Sequence, residues 1–254
     1  LSERRQKWLP RRLPAGVLFL TGAVDVQGNR LEWAIYGWGR KLGGYTVDRG
    51  IIIGDPATDE PWLQLERDVL GQTYPDAWGA AHGVDVWGVD TGYLSQNVYR
   101  FVRKFATTDW VRALDGRHGW GLPPVGKPRA VDYDWDGRKI GEVSLWLVGT
   151  WGLKSEIYGK LKLTVQGPDA GGVWPAAAMW FDSSCDAEYF EQLTAEFVTD
   201  VEVKSGHIER RWVKIKARRN EQLDLAVYCL ALARQASDQL SEASWAEIER
   251  ERLG

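Results

Sequence analysis

Cysteine is nearly missing from this sequence of 254 residues: Cys185 and Cys229 stand alone and far apart, with no CxxC pair. That excludes a disulfide framework and a thiolate zinc site, and it suits a reducing compartment. The histidines, His82, His118 and His207, form no metal-ligating spacing, and no GxSxG or Cys/His signature occurs. Hydrolysis through an activated serine or cysteine therefore has no support. No apolar run reaches the roughly 18 residues of a membrane span, and the Val17-Leu18-Phe19-Leu20 stretch reads as a short buried strand. A signal peptide and a fixed-period repeat are both missing. Neither charge sign dominates, since 32 Lys+Arg face 35 Asp+Glu for a net charge of −3.

What is present is ordinary for a globular chain: 44% hydrophobic and 26% charged residues, enough for one large domain or two small ones. The 15 tryptophans are scattered; they read as core and interface filler, or in part as rings that stack on a ligand. Residues 1–15 carry Arg4, Arg5, Lys7, Arg11, Arg12, Pro10 and Pro14, a basic tether with little structure of its own. A start at Leu1 rather than Met reads as a fragment with something removed upstream.

Gly16 to Val26 and Leu31 to Tyr36 flank a Gly28-Asn29 turn signal, and Tyr45 to Ile53 follows, which predicts an antiparallel meander of three strands. Alternation of strand and helix comes next. Glu60–Leu70 is helical, Val86–Asp90 a buried strand, Leu94–Phe105 an amphipathic helix and Trp110–Leu114 a strand. Residues 115–141 read as a long surface loop, Leu145–Val148 as a strand and Leu153–Leu161 as a helix. The last third predicts a helix over Ala187–Glu196 and a hairpin of Phe197–Val203 with Ile208–Ile215. Asn220 then caps a long helix, and Ser244 with Glu247 forms a capping box for a final charged helix. The expected fold is α/β: a mixed sheet of three antiparallel strands plus parallel ones, with helices on both faces, for which an RNase H-like core is one option among several α/β folds.

Three aspartates stand where burial is expected. Asp25 lies between Val24 and Val26, Asp90 closes the Val86–Val89 strand, and Asp224 lies in the second turn of the last long helix. An unpaired buried carboxylate costs several kcal/mol, and no matching buried cation is nearby in sequence, so the trio points to a metal. Hard oxygen donors without a His or Cys cluster favour Mg2+ or Mn2+ over zinc. Singly, each acid has a plainer reading as a cap, an edge residue or a solvated helical residue. Together they match a first strand, a later parallel strand and a C-terminal helix, the elements that supply the acids of RNase H-like nucleases. Beside Asp224 stand Lys204, Arg210, Arg211, Lys214, Lys216, Arg218 and Arg219, opposed by Glu209 alone. This run is a solvated hairpin or a grip on a phosphate backbone. Gly121 to Lys127 has GxxxxGK spacing, but Pro128 replaces the Ser/Thr and Pro123 and Pro124 remove backbone donors, so it is no phosphate loop.

Several stretches resemble a known family. They are Thr21 to Gln27 with Arg30-Leu31-Glu32, Tyr36 to Gly39, and Gly54-Asp55-Pro56 with Trp62 to Leu65. Val89 to Gly92 before Val98 to Val102, Leu147 to Thr150 leading to Lys154, Glu188 to Glu196, and Asn220 to Asp224 complete the set. Their order from Gly16 to Ala236 is similar to the nuclease part of the GpA-type large subunit of bacteriophage terminases. The resemblance implies an RNase H-like endonuclease with two Mg2+ or Mn2+ ions held by Asp25, Asp90 and Asp224, with Glu221 as a further ligand. It implies cleavage of concatemeric double-stranded viral DNA, and Lys127 or Lys154 as a transition-state cation. Residues 1–15 would be the interdomain linker, 16–237 the nuclease domain and 238–254 a charged C-terminal helix or tail. The partners implied are double-stranded DNA, an N-terminal ATPase motor absent from this chain, the terminase small subunit and the capsid portal, with no membrane. The place implied is the host cytoplasm. Two other classes fit the same residues: another RNase H-like DNA enzyme of the resolvase or transposase type, and a non-catalytic portal or terminase docking module.

Overall fold

A computed structural model describes residues 1–202, 206–238 and 240–253. The meander forms as its turn signal requires. β1 (Phe19–Gln27) folds back at Gly28-Asn29 into β2 (Arg30–Trp38), with Phe19 opposite Trp38 and Gln27 opposite Arg30. β3 (Gly44–Ile53) pairs antiparallel to β2, with a bulge between Ile35 and Tyr36. The chain then passes through α1 (Glu60–Leu65), a wider turn over Glu66–Leu70, and a small hairpin of β4 (Thr73–Pro75) and β5 (Ala81–Gly83). β6 (Val86–Asp90) returns parallel to β1, and after α2 (Ser95–Val102) β7 (Val111–Arg117) lies parallel to β6.

Residues 115–141 are not a loop throughout. β8 (Arg129–Trp135) and β9 (Arg138–Gly149) form a hairpin on the far edge of the sheet, β9 parallel to β7. Asp136 and Gly137 turn it at positive φ, the Asp-Gly pair that tight hairpin turns favour. Charge and glycine content masked an alternating Val131, Tyr133, Trp135 pattern.

α3 (Thr150–Gln166), β10 (Met179–Trp180) and α4 (Ala187–Leu193) follow. β11 (Glu196–Glu202) and β12 (Ile208–Lys214) make a separate two-stranded sheet, and α5 (Glu221–Ser237) and α6 (Glu242–Leu253) end the chain. α6 begins before Ser244, and it is Ser241 whose hydroxyl accepts from the Ser244 N–H, so the expected Ser244 cap moves three residues upstream.

The main sheet runs β10-β3-β2-β1-β6-β7-β9-β8, antiparallel on the β1–β3 side and parallel from β1 through β9. This is the expected α/β mixed sheet, with helices on both faces. Side chains alternate along each strand. Leu20, Val24, Val26 and Leu31 pack with α1 and α2 on one face, while Phe19, Ala23 and Ala34 pack with α3, α4 and α5 on the other. The N-terminal residues lie along the domain: Gln6 N donates to Phe181 O (2.8 Å), Arg11 N to Val47 O (2.7 Å) and Leu13 N to Pro75 O (3.0 Å). No helix among the described residues is long and apolar enough to cross a membrane.

Candidate active site

Strand register brings two of the acids together. Val24 stands opposite Val89 across the parallel β1–β6 pair, so Asp25 and Asp90 follow side by side at the C-terminal ends of adjacent strands. Alternation turns both onto the α5 face, because Val24 and Val89 point into the opposite apolar cluster. Helix geometry supplies the third. Tyr228 of α5 donates its hydroxyl to Asp90 Oδ1 at 2.6 Å, and Asp224 lies four residues earlier on the same helix face, one turn toward the N-terminus. α5 is held there by Thr21, whose hydroxyl donates to the Cys229 carbonyl at 3.0 Å. Asp224 sits in the first turn of the helix rather than the second.

Burial acts on all three acids, and the charge of a neighbouring acid adds to it in each case. Asp25 is 6% exposed. Desolvation, with the charges of Asp90, Asp224 and Glu32, pushes its carboxyl up to about 7, against the Gln27 amide that donates at 2.6 Å. Asp90 is also raised, by burial first, while Tyr228 and the backbone N–H groups of Gly92 and Thr91 favour its charged form. Asp224 keeps a third of its side chain exposed (34%) but is raised to about 6 by desolvation, with Glu196 and Asp90 adding to the rise and Lys154 opposing it. The charges of Asp90 and Asp224 thus reach Asp25, and that of Asp90 reaches Asp224. Among the described residues, however, no group of three or more His, Cys, Asp or Glu stands ready to hold a metal ion. The carboxylates are turned to protein partners instead.

Those partners form the floor of a cleft of about 360 Å3, lined among others by Thr150, Lys154, Glu196, Lys214, Asn220 and Asp224. Lys154 Nζ lies 2.6 Å from Glu196 Oε1 and 3.3 Å from Asp224 Oδ1. The Asn220 amide donates to Glu196 Oε1 (2.9 Å) and Asp224 Oδ2 (2.8 Å). Asn220 thus stands at the expected helix start, but its side chain makes no cap bond there. Gly116 leaves room for this arrangement, since a Cβ there would stand 2.7 Å from the Tyr228 hydroxyl. Glu196 went unrecognised as a site residue; its one sequence signal is an acid between Ala195 and Phe197 in a stretch that otherwise reads as buried. Of the two lysines, Lys154 reaches the cleft and Lys127 is exposed on a loop.

Glu221 does not join the acids. Its carboxylate faces Arg30 (3.4 Å) and Arg219 (3.2 Å). Arg219 in turn binds Glu32 and lies 3.6 Å from Glu188, and Arg30 lies 2.5 Å from Glu32, a side chain 1% exposed. Arg211 pairs with Glu209 at 2.5 Å. Arg210, Lys214 and Lys216 are exposed, Arg218 is half-buried, and Lys204 lies outside the described residues. The cleft is thus acidic at its floor and basic along the hairpin beside it.

Residues 1–245 match the family described as terminase large subunit gpA, endonuclease domain. The chain is 30% identical over 237 residues to the terminase large subunit of Escherichia phage lambda, and 28% over 231 residues to that of Enterobacteria phage P21. These matches cover 92% and 87% of this chain but 35% and 33% of the relatives, so the chain spans about a third of the length of the curated relatives it matches. It is also similar to a solved structure of the nuclease domain of the large terminase subunit gp2 of bacterial virus Sf6. Identity is 12% and the TM-score 0.44, over 84% of this chain and 87% of that one. A mutant of that domain with manganese gives a TM-score of 0.46, also at 12% identity, over 84% of this chain and 88% of that one.

Proposed function

This chain belongs to the terminase large subunit gpA endonuclease-domain family, and on that premise we propose that it hydrolyses double-stranded viral DNA with two Mg2+ or Mn2+ ions held by Asp25, Asp90 and Asp224. One observation carries the reading: three acids from β1, β6 and α5 share one face of the sheet, burial holds all three above the ordinary carboxylate range, and the charges of Asp90 and Asp224 both act on Asp25. Buried carboxylates that repel each other suit a hard cation, and an all-oxygen donor set fits Mg2+ or Mn2+. Bound there, such ions supply a water of lowered pKa and neutralise charge on the leaving oxygen.

The chain's own residues prepare the site. Gln27 orients Asp25 and Tyr228 orients Asp90. Lys154 and Asn220 hold the two oxygens of Asp224. Lys154 also lines the cleft beside Asp224 whereas Lys127 does not, which favours it over Lys127 as the transition-state lysine. Arg210, Lys214, Lys216 and Arg218 offer charge to a phosphate backbone without reading bases. Arg219, paired with carboxylates, acts as a strut for the segment before α5, and Glu221 shares that role. The substrate proposed is concatemeric phage DNA, cut during packaging in the host cytoplasm. An N-terminal ATPase motor, the terminase small subunit and the capsid portal are the proposed partners.

Mn2+ titration by calorimetry, paired with plasmid nicking, tests the proposal. Wild-type protein is expected to bind Mn2+ and nick only with a divalent ion, and Asp224→Asn to lose both. An Asp224→Asn protein that binds and nicks like wild type overturns it.

A further inference from the structure

The wall of the cleft beside the carboxylates is aromatic, and hydrolysis does not use it. Trp151, near the start of α3, is buried in that wall. His118 lies over it at 6.0 Å between ring centroids, 20° from parallel, and Trp120 meets it edge-on at 5.2 Å. Trp120 keeps 44% of its surface exposed although apolar neighbours stand next to it. Its indole N–H donates to the Arg210 carbonyl at 2.5 Å, tying this loop to the basic hairpin. Trp212, which lines the same cleft, donates to the Trp151 carbonyl (3.1 Å) and packs on Tyr158. Lys214 follows two residues later on the same strand face and lines the same space.

We propose that Trp120 and His118 form a stacking platform for an unpaired base of the DNA strand in this cleft, so that the domain binds best where base pairs are open. The inference rests on the nuclease reading of the cleft. The occupant follows from the chemistry of the wall. Every nucleobase offers a π-face to an exposed ring, and stacking of this kind tolerates any sequence. The cations of Arg210 and Lys214 attract the phosphates that accompany such a base. A base within an intact duplex has both faces covered by its neighbours, so only an opened strand can use the platform.

A duplex carrying 2-aminopurine in a short bulge, compared with the fully paired duplex, tests this in chelator without any turnover. Wild type is expected to quench the probe and to bind the bulged duplex about 5- to 150-fold more tightly than Trp120→Ala, the range set by loss of one stacked base. The paired duplex should bind both proteins alike. Trp120→Phe keeps a ring but loses the N–H bond to Arg210, and it is expected to restore quenching. Equal quenching and affinity in Trp120→Ala overturn the platform, as does a Trp120→Phe protein that behaves like Trp120→Ala, since that assigns the indole to bracing the loop. Cleavage of the same duplexes with Mn2+ is read separately. If wild type quenches the bulged probe yet cuts neither duplex, the nuclease reading falls and base stacking stands.

Discussion

The two faces of the one sheet are built on opposite rules. Toward α1 and α2, the strands offer Leu20, Val24, Val26, Leu31, Trp87 and Val89, an apolar layer with no buried charge among these residues. Toward α3, α4 and α5, the residues between them are the buried Thr21, Asp25 and Glu32 and the half-buried Asp90, while α3 answers with Lys154 and Lys160 and β11 with Glu196, also buried. Strand alternation makes the contrast sharp, because Asp25 and Val26 are neighbours in sequence and belong to different layers. The first face stabilises the domain through removal of apolar surface from water. The second holds desolvated charge that lowers stability, and such charge persists where it serves chemistry. The site and the core are therefore separable by substitution.

The strongest break between the faces is expected in catalysis. Asp90→Asn should lower plasmid nicking by about 1,000-fold or more, a loss of the size seen when one transition-state charge contact is removed, with the thermal midpoint preserved. Leu31→Ala on the other face should do the reverse: a loss of about 2–5 kcal/mol of stability by denaturant titration, with normal nicking per folded molecule. Wild-type nicking by Asp90→Asn would remove the charged face from the mechanism.

A smaller effect separates the faces by pH. Between about pH 4 and 7 the folded chain retains a proton on Asp25 that the unfolded chain, with an ordinary carboxyl, has released. Stability in chelator therefore falls as pH rises through that window and levels off above it. Asp25→Asn should shallow this slope, leaving the part due to Asp90 and Asp224, and gain up to about 4 kcal/mol at pH 8, the equivalent of the raised pKa. A Val26→Ala protein should keep the wild-type slope. Denaturant titrations across that range measure both, and an unchanged slope in Asp25→Asn would show that Asp25 is not held near neutrality.

The smallest effect concerns the cleft's basic edge. Reversing Arg210 and Arg211 together should reduce the salt dependence of DNA binding by at most about two phosphate contacts. Because Arg211 already pairs with Glu209, most of that reduction is expected from Arg210. Filter binding over a salt series measures it, and an identical slope would show that β12 does not touch the backbone.

Much of the architecture was legible before folding. The Gly28-Asn29 turn announced β1 and β2, and short apolar runs between turn signals announced β6 and β7. The hairpin of β8 and β9 was hidden because its strands are largely exposed and rich in charge, so only Asp136-Gly137 marked it. Asp25, Asp90 and Asp224 stood out as acids in apolar settings. Glu196 did not, since its partners Lys154 and Asn220 are remote along the chain. Arg219 looked like a free cation because its carboxylates come from β2, α4 and α5.

The amino-acid order alone determined the strands with apolar runs between turn signals, which face each of their side chains takes and which acids are drawn into apolar surroundings, because turn chemistry and alternation are local. Only the tertiary structure decided which charges meet. Register set Asp25 beside Asp90, one helical turn set Asp224 near both, and packing of α3 delivered Lys154. Coulombic partners are chosen by distance in space, and distance in space is a property of the packed chain.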